Sequence, residues 1–175
     1  MTKTQKKIVI ATASVSLIVA ALLVLYYYFV TNVKKEELEV YTPKYFTIDE
    51  LTSSYTADRN GIDNTPKNQD IIDNLLALCM KVLDPIREAY GKPIKVNSGY
   101  RCPELEVIVS GKAYGQHMKG EAADITTGSL DGNRILFDLI KQSGQFDQLI
   151  DEKNLSWIHV SYKRVGYNRK QTLKL

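Results

Sequence analysis

The sequence predicts an α+β fold, with helices packed on a small antiparallel sheet, preceded by one N-terminal transmembrane helix. Three observations predict this fold. An uncharged apolar run occupies residues 8–30. Apolar residues recur at helical spacing within residues 65–91, and later segments show the short apolar pattern of strands. Helices grouped first and antiparallel strands grouped later are typical of α+β domains.

The composition excludes several classes of function. The chain has 175 residues, with 23 basic and 20 acidic side chains, and the net charge of +3 is too small to indicate a nucleic-acid partner. Two cysteines cannot build a disulfide-rich scaffold or a four-thiolate zinc site. Because there are only two histidines, any metal site must combine them with carboxylates.

Residues 8–30 are predicted to be a membrane anchor. As a helix with about 1.5 Å of rise per residue, this run reaches roughly 34 Å, enough for the hydrocarbon core of a bilayer. Three lysines precede the run and two follow it, which favours a cytoplasmic N-terminus. Residues 1–30 are therefore interpreted as a cytoplasmic stub and a single-pass anchor in the cytoplasmic membrane, with the rest of the chain on the outer side. A cleavable signal peptide is disfavoured because no small-x-small site follows, but a signal-anchor that later leaves the membrane stays open.

The remainder of the chain divides into three parts. Residues 31–44 are polar without a clear period and are predicted to be a linker. Residues 45–162 hold the patterned segments and are predicted to form the folded domain. Residues 163–175 carry basic side chains and no acid. We expect them to form a solvated tail, with attraction to anionic polymers or lipid headgroups as the alternative.

Helices are predicted in the first half of the domain. Thr47 and Glu50 form a capping box for a short helix, and residues 54–64 are polar and predicted to be a loop. Thr65 supplies an N-cap and Pro66 a first-turn proline for a longer helix. The apolar positions of that helix are Ile71, Ile72, Leu75, Leu76, Leu78, Val82 and Leu83.

The second half of the domain is predicted to contain most of the strands. The long helix is expected to kink at Pro85 and to end at Gly91. The pattern beyond it predicts strand 93–96, turn 97–99, helix 104–109, loop 112–120, strand 122–125, helix 131–142, strand 146–151 and strand 157–162. A five-residue hairpin-like connection joins the last two strands.

Three residues of the second half have side chains suited to metal chemistry. His117 lies in a glycine-containing loop, Asp124 follows it by seven residues, and His159 lies in the last predicted strand. Two imidazoles and one carboxylate are a common ligand set for catalytic zinc, with the fourth position left to water. From the residues alone, histidines in the core or on the surface without a metal stay an open alternative.

A family resemblance strengthens the zinc hypothesis. It is carried by three stretches of the chain, VNSGYRCPELEVIVSGKAYGQHMKGEAADI, FDQLIDE and WIHVSY. They resemble the zinc D-Ala-D-Ala carboxypeptidase family, whose members cut the cross-bridge peptides of peptidoglycan and include phage endolysins. The resemblance covers roughly residues 45–162, so it implies that the folded domain is a zinc peptidase domain.

The resemblance implies roles for five residues. His117, Asp124 and His159 match the three ligands of Zn²⁺. Arg101 matches an arginine that faces the substrate, where a guanidinium can grip a terminal carboxylate or polarise the scissile carbonyl; a surface salt bridge is the alternative. Gln116 is a candidate substrate-binding residue that donates to a developing oxyanion, or else a packing residue beside the first ligand.

The general base is less certain from the resemblance. Many relatives have an acid three positions before the last histidine, where this chain has Ser156. Glu152 recurs in the branch that the chain most resembles, and strand alternation places it on the face that a neighbouring strand could turn toward the metal. Glu152 is therefore the predicted catalytic carboxylate. Two alternatives stay open, Asp151 as the base, or a solvated carboxylate of the hairpin that has no catalytic role. Trp157 is a candidate wall of the substrate site, or a core residue.

The two cysteines leave one structural question open. Cys79 lies on the long predicted helix and Cys102 follows Arg101, and an oxidising compartment would allow them to form a disulfide. Their separation cannot be read from the sequence.

The resemblance implies a function and two alternatives. It implies a zinc peptidase, D,D-carboxypeptidase in type, that acts on peptidoglycan stem peptides. The apolar run adds the membrane as a second partner, and neither nucleic acid nor a protein partner is expected. The first alternative is an endolysin-type endopeptidase with a signal-anchor. The second is a non-catalytic cell-wall binding module that keeps the fold, and the serine at position 156 favours it.

Overall fold

The computed structural model describes residues 18–33 and 41–175. The chain divides into two compact units, Met1–Val40 and Tyr41–Leu175. In the first unit, residues 18–33 form a helix. The predicted anchor begins outside the described residues, and half of the predicted linker, residues 34–40, lies outside them. No helix within the described ranges combines the length and the apolarity needed to cross a membrane. The anchor stays a prediction.

The second unit contains helices and one sheet, as predicted for an α+β domain. Its α-helices are α1 (Ile48–Thr52), α2 (Tyr55–Asn60), α3 (Gln69–Leu78), α4 (Asp84–Tyr90), α5 (Pro103–Ser110) and α6 (Leu130–Ser143). A π-helical turn, Cys79–Leu83, lies between α3 and α4, and a 3₁₀ turn, His117–Lys119, precedes β2. The strands are β1 (Lys95–Ser98), β2 (Ala122–Thr126), β3 (Gln148–Glu152), β4 (Trp157–Ser161) and β5 (Gln171–Lys174).

The sheet is mixed rather than antiparallel. Its strand order is β1-β2-β4-β3-β5. The first four strands pair antiparallel, as predicted, but β5 pairs parallel to β3. The predicted tail, residues 163–175, therefore ends in a strand of the sheet, although most of the side chains of that strand are exposed, as expected. A four-residue strand of largely polar composition has no apolar pattern of its own, and long-range backbone hydrogen bonds hold it, such as Gln171 N–H to the Asp147 carbonyl at 2.9 Å.

Two helix predictions need correction. Residues 54–64 are not all loop, because α2 begins after Ser54, whose hydroxyl accepts from the Ala57 N–H, and ends at Gly61 with φ 65°. The longer helix begins after Asn68 rather than Thr65. The Asn68 side chain accepts from the Asp70 N–H, and this cap supersedes the predicted one.

A π-helical turn lies directly before Pro85, where a kink was predicted. Pro85 lies in the first turn of α4, directly after Cys79–Leu83. Proline has no backbone N–H to donate, and a local change of helical register is one way in which a chain accommodates it. The helix ends at Gly91, which has φ 72°, as predicted.

Close backbone packing places β1 and the residues that follow it. The strand lies two residues later than predicted, so residues 97 and 98 belong to it rather than to a turn. A Cβ at Gly99 would lie 2.2 Å from the Leu51 carbonyl oxygen, and the Tyr100 N–H donates to that oxygen at 2.7 Å. Only glycine allows this approach, which fixes the start of the segment that carries Arg101.

The hydrophobic core lies between the helices and one face of the sheet, and the polar side chains lie on the opposite face. Alternation along β2 and β4 buries one set of side chains against the helices: Ala123, Ile125, Ile158 and Val160. The intervening residues lie on the opposite face.

Cys79 and Cys102 are both buried and both free, so the disulfide left open by the sequence is not formed. Burial raises the pKa of the Cys79 thiol.

Candidate metal centre

The three predicted ligands converge from three elements. His117 begins the 3₁₀ turn, and Asp124 on β2 lies directly opposite His159 on β4. Residues opposite each other on neighbouring antiparallel strands present their side chains to the same face. The sheet register thus brings two ligands together, and the turn before β2 adds the third. These residues form a group able to hold a metal ion.

The ligand atoms form a triangle whose size suits zinc. His159 Nδ1 lies 3.0 Å from Asp124 Oδ1 and 3.2 Å from His117 Nε2, and the third side, from His117 Nε2 to Asp124 Oδ1, is 3.3 Å. A tetrahedron with zinc–ligand bonds of about 2.0–2.1 Å has edges of roughly 3.3 Å. Two nitrogens and one carboxylate oxygen at this spacing fit zinc in both chemistry and size.

A backbone carbonyl orients His117. His117 Nδ1 lies 2.6 Å from the carbonyl oxygen of Gly99. A carbonyl can only accept, so the proton sits on Nδ1 and the lone pair of Nε2 faces the triangle. This is the arrangement in which a neutral imidazole binds a metal.

Asp124 is half-buried and ionised. Burial would raise its pKa, but the contacts with His117 and His159 outweigh that effect and hold the pKa well below the usual range of an aspartate. Arg101 Nη2 donates to Asp124 Oδ2 at 2.5 Å. This bond occupies one carboxylate oxygen and leaves Oδ1 to the triangle.

Arg101 lies in the wall of the site and is already held by protein groups. Besides Asp124, it donates through Nε to Ser98 Oγ at 2.8 Å and through Nη1 to Glu106 Oε2 at 3.2 Å. These contacts use three of the five N–H groups of an arginine. The sequence predicted a residue that faces the substrate; the structure adds that it holds a ligand in place.

Glu106 is a residue that the sequence analysis missed. It is 4% exposed and forms a buried ion pair with Arg101. A glutamate in the first turn of a helix is ordinarily a solvated acid that favours the positive end of the helix dipole. Its burial beside Leu105, on an otherwise exposed helix, depends on the position of Arg101, which the sequence does not reveal.

The metal centre opens into a cleft of about 540 Å³. The predicted site residues all line it, namely Arg101, Gln116, His117, Asp124, Glu152, Trp157 and His159. Trp157 is half-buried there, in keeping with a wall of the site. Exposed Tyr114 also lines the cleft, and the sequence analysis did not identify it.

Strand register places Glu152 near the metal centre. Ile150 pairs with His159 and Glu152 pairs with Trp157, so Glu152 is the diagonal neighbour of His159 on the same face. Such neighbours are about 7–8 Å apart, a spacing that leaves room for a water molecule and a carbonyl group between the carboxylate and the ligand triangle. Strand alternation had predicted that Glu152 lies on a face that could be turned toward the metal.

The two other candidate positions face elsewhere. Asp151 lies on the opposite face, where Oδ1 accepts from the Leu155 N–H at 2.5 Å. Ser156 is exposed and donates to the Lys153 carbonyl at 2.8 Å. Neither lines the cleft. Among the candidates, only Glu152 presents a carboxylate to the cleft.

The turn between β3 and β4 has an unusual backbone. Lys153, Asn154 and Leu155 have φ values of 47°, 54° and 61°, all left-handed. Each such non-glycine residue costs roughly 1–2 kcal/mol. The bond from the Ser156 N–H to the Glu152 carbonyl closes the turn at 3.0 Å, and the turn thereby sets the register that aims Glu152.

Gln116 lies between His159 and a buried acid. Its Nε2 donates to Asp147 Oδ2 at 2.8 Å, and its Oε1 lies 3.3 Å from His159 Nε2. Asp147 is fully buried and also accepts from Arg169. Burial would raise its pKa, but the bonds with Arg169 outweigh burial and lower the pKa to about 2. The sequence motif indicated Gln116 but gave no signal for Asp147, whose other side-chain partners, Lys163 and Arg169, come from the predicted tail.

The comparison with known families agrees with the geometry. Residues 44–161, about two thirds of the chain, match the sequence model of a family described as Peptidase M15. The match nearly coincides with the predicted domain, residues 45–162, and confirms the resemblance. No curated protein matches the chain.

Proposed function

The chain belongs to the M15 peptidase family, whose members are zinc-dependent, and on that premise we propose that it cleaves D-amino-acid peptides of bacterial peptidoglycan as a D,D-carboxypeptidase. One observation carries the proposal. Three ligand atoms 3.0–3.3 Å apart form the floor of a cleft into which Glu152 also faces. A zinc peptidase needs such a ligand set and a carboxylate nearby.

The residues of the cleft divide the chemistry between them. Bound zinc would lower the pKa of a water molecule and polarise the carbonyl under attack. Glu152 accepts a proton from the attacking water and passes it to the leaving amine nitrogen as the peptide bond breaks. Asp124 stays ionised throughout, because Arg101 Nη2 donates to its Oδ2 and stabilises its charge.

The cleft also has groups for binding a peptide. Trp157 and Tyr114 offer apolar surface beside the metal centre. Arg101 has N–H groups beyond those used by Ser98, Glu106 and Asp124, and these support contact with a carbonyl or carboxylate of the substrate.

The test combines zinc content with product analysis. The purified full chain is expected to hold one zinc and to release the terminal D-alanine from defined muropeptides, an activity lost on chelation and restored by zinc. Glu152→Gln should keep the zinc and lower turnover at least about 100-fold, since general-base catalysis contributes 10²–10⁴-fold. Glu104→Gln, which removes an exposed carboxylate of α5, is the matched control and should retain full turnover.

Two results would count against the proposal. Native turnover by Glu152→Gln would remove the assigned base. Zinc bound with no hydrolysis of any muropeptide would instead support the non-catalytic binding module.

A second candidate, an endolysin-type endopeptidase, is favoured by a specific observation. A neighbouring cavity of about 460 Å³ shares Arg101 and Val109 with the cleft, so there is space for a substrate chain beyond the metal centre. An endopeptidase needs such space on both sides of the scissile bond. Amidating the C-terminus of the substrate separates the two activities, because a carboxypeptidase should then lose its substrate and an endopeptidase should not.

The location of the protein is also proposed. A peptidoglycan substrate and the uncharged run at residues 8–30 together support a single-pass anchor, with the peptidase unit outside the cytoplasmic membrane. Membrane fractionation of intact cells, followed by protease digestion from outside, tests it. Recovery of the full chain in the soluble fraction would contradict it.

A further inference from the structure

The C-terminal segment, residues 163–175, is connected to the metal centre by a chain of hydrogen bonds. Arg169 donates to both oxygens of Asp147, through Nε at 3.0 Å and 3.1 Å and through Nη2 at 2.5 Å. The Arg169 N–H adds a bond at 2.9 Å, and Lys163 Nζ lies 3.3 Å from Oδ1. Asp147 has no exposed surface. Its orientation is therefore set by the segment that ends in β5.

Asp147 in turn determines how the amide of Gln116 is oriented. An ionised carboxylate can only accept hydrogen bonds, so the amide end that meets Asp147 Oδ2 at 2.8 Å must be the NH₂ group. The amide oxygen then points the other way, toward His159 Nε2 at 3.3 Å. The choice between the two amide orientations follows from this network.

The orientation of Gln116 supports one tautomer of His159. An amide oxygen accepts, so Gln116 favours a proton on Nε2. Nδ1 lies 3.0 Å from Asp124 Oδ1, which also accepts, so a metal ion in the ligand triangle is what leaves Nδ1 without a proton and Nε2–H to Gln116. His117 has the opposite tautomer, because the Gly99 carbonyl holds its proton on Nδ1.

We infer that Arg169, Asp147 and Gln116 form a relay by which the C-terminal segment positions His159, so that it offers Nδ1 to the metal. The inference rests on the proposed zinc site. It extends the functional unit past residue 161, where the family match ends. None of the three residues touches the ligand triangle, so each is a positioning residue.

The tautomers can be read directly because the chain has only two histidines. Correlation of ring nitrogens with ring carbon-bound protons, on the ¹⁵N-labelled full chain with zinc bound, should show one ring protonated at Nδ1 and one protonated at Nε2. Through-bond correlation of each ring with its own backbone assigns the two rings. A His159 ring protonated at Nδ1 would overturn the inference.

Zinc affinity gives a second readout that does not depend on catalysis. Losing a group in direct contact with a metal ligand usually costs about 10–100-fold in affinity. Arg169 acts through Asp147 and Gln116, so Arg169→Gln should weaken zinc binding by up to about 10-fold and should mix the two His159 tautomers. Arg164→Gln is the matched control, because Arg164 joins the same segment to α3 through Asn74 and Asp70. It should change the affinity less than about twofold. Equal zinc affinities in the two variants would contradict the relay.

Gln116→Ala keeps the test decisive if the loss of Arg169 disturbs folding around buried Asp147. Gln116 is half-buried, and its truncation should produce the same tautomer mixing and loss of affinity without removing a charge. Native tautomers and native affinity in this variant would overturn the inference. A wild-type chain with both predicted tautomers and tight zinc binding, but no muropeptide hydrolysis, would contradict the proposed peptidase and leave the relay in place.

Discussion

The two histidines of the metal centre are held by different parts of the molecule. The backbone carbonyl of Gly99 holds His117, at a point where the chain passes against the Leu51 backbone. A side-chain relay that starts in the C-terminal segment holds His159. A backbone group keeps its place whatever side chain it carries, whereas each step of a relay is lost with one substitution. The first ligand therefore depends on packing, and the second on residue identity.

The largest effect is expected from a substitution that displaces the backbone segment holding His117. Gly99→Ala would place a Cβ 2.2 Å from the Leu51 carbonyl oxygen, so the segment must shift. We expect the free energy of unfolding to fall by about 1–3 kcal/mol, and zinc affinity to fall because the carbonyl that orients His117 moves. Denaturant titration and chelator competition measure the two effects.

Gly115→Ala is the control for this prediction. Its Cβ would meet only the end of the flexible Glu106 side chain, at 3.1 Å. The smaller clash predicts a smaller loss of stability. If the two variants were equally stable, the close approach at Gly99 would not be what holds His117.

A smaller, pH-dependent effect on stability is expected from a substitution in the side-chain relay that holds His159. The pKa of Asp147 is about 2 in the folded chain against 3.8 for an ordinary aspartate. The stabilisation from its charge is complete above pH 3.8 and is lost as the pH falls through 2. Asp147→Asn should therefore be less stable than the wild type at pH 7, with a gap that narrows between pH 4 and pH 2. Denaturation midpoints across this range measure the gap, and a gap that does not change with pH would contradict the assignment.

The smallest effect is expected far from both histidines. Arg134 and Asp131 form an exposed ion pair on α6, with N and O atoms 3.4 Å apart. Exposed pairs of this kind contribute at most about 1 kcal/mol and often nothing. Arg134→Ala should leave the unfolding free energy within about 0.5 kcal/mol and zinc affinity unchanged. If the unfolding free energy fell as much as it does in Asp147→Asn, the measurement would not distinguish the loss of a specific buried contact from a general destabilisation.

A contrast between local patterns and contacts distant in the sequence also explains which features the sequence could predict. His117, Asp124 and His159 were identified because the residues around them form a recognisable motif, and the facing of Glu152 followed from strand alternation. Asp147, Glu106 and strand β5 were missed because their roles depend on partners far along the chain. Nothing near Asp147 in the sequence indicates that Arg169 will reach it. Helix α2 was missed for a local reason, since Gly61 ends a helix there instead of belonging to a loop.

The left-handed turn at residues 153–155 makes activity sensitive to loop length. Adding or deleting one residue there would slip β3 against β4, and a slip of one position turns every side chain of a strand to the other face. The ligand triangle, built from β2, β4 and the turn before β2, would be unchanged, whereas the Glu152 side chain would face away from the cleft. On the proposed mechanism, an indel at this hairpin would thus keep the residues that bind zinc and remove the general base from the cleft.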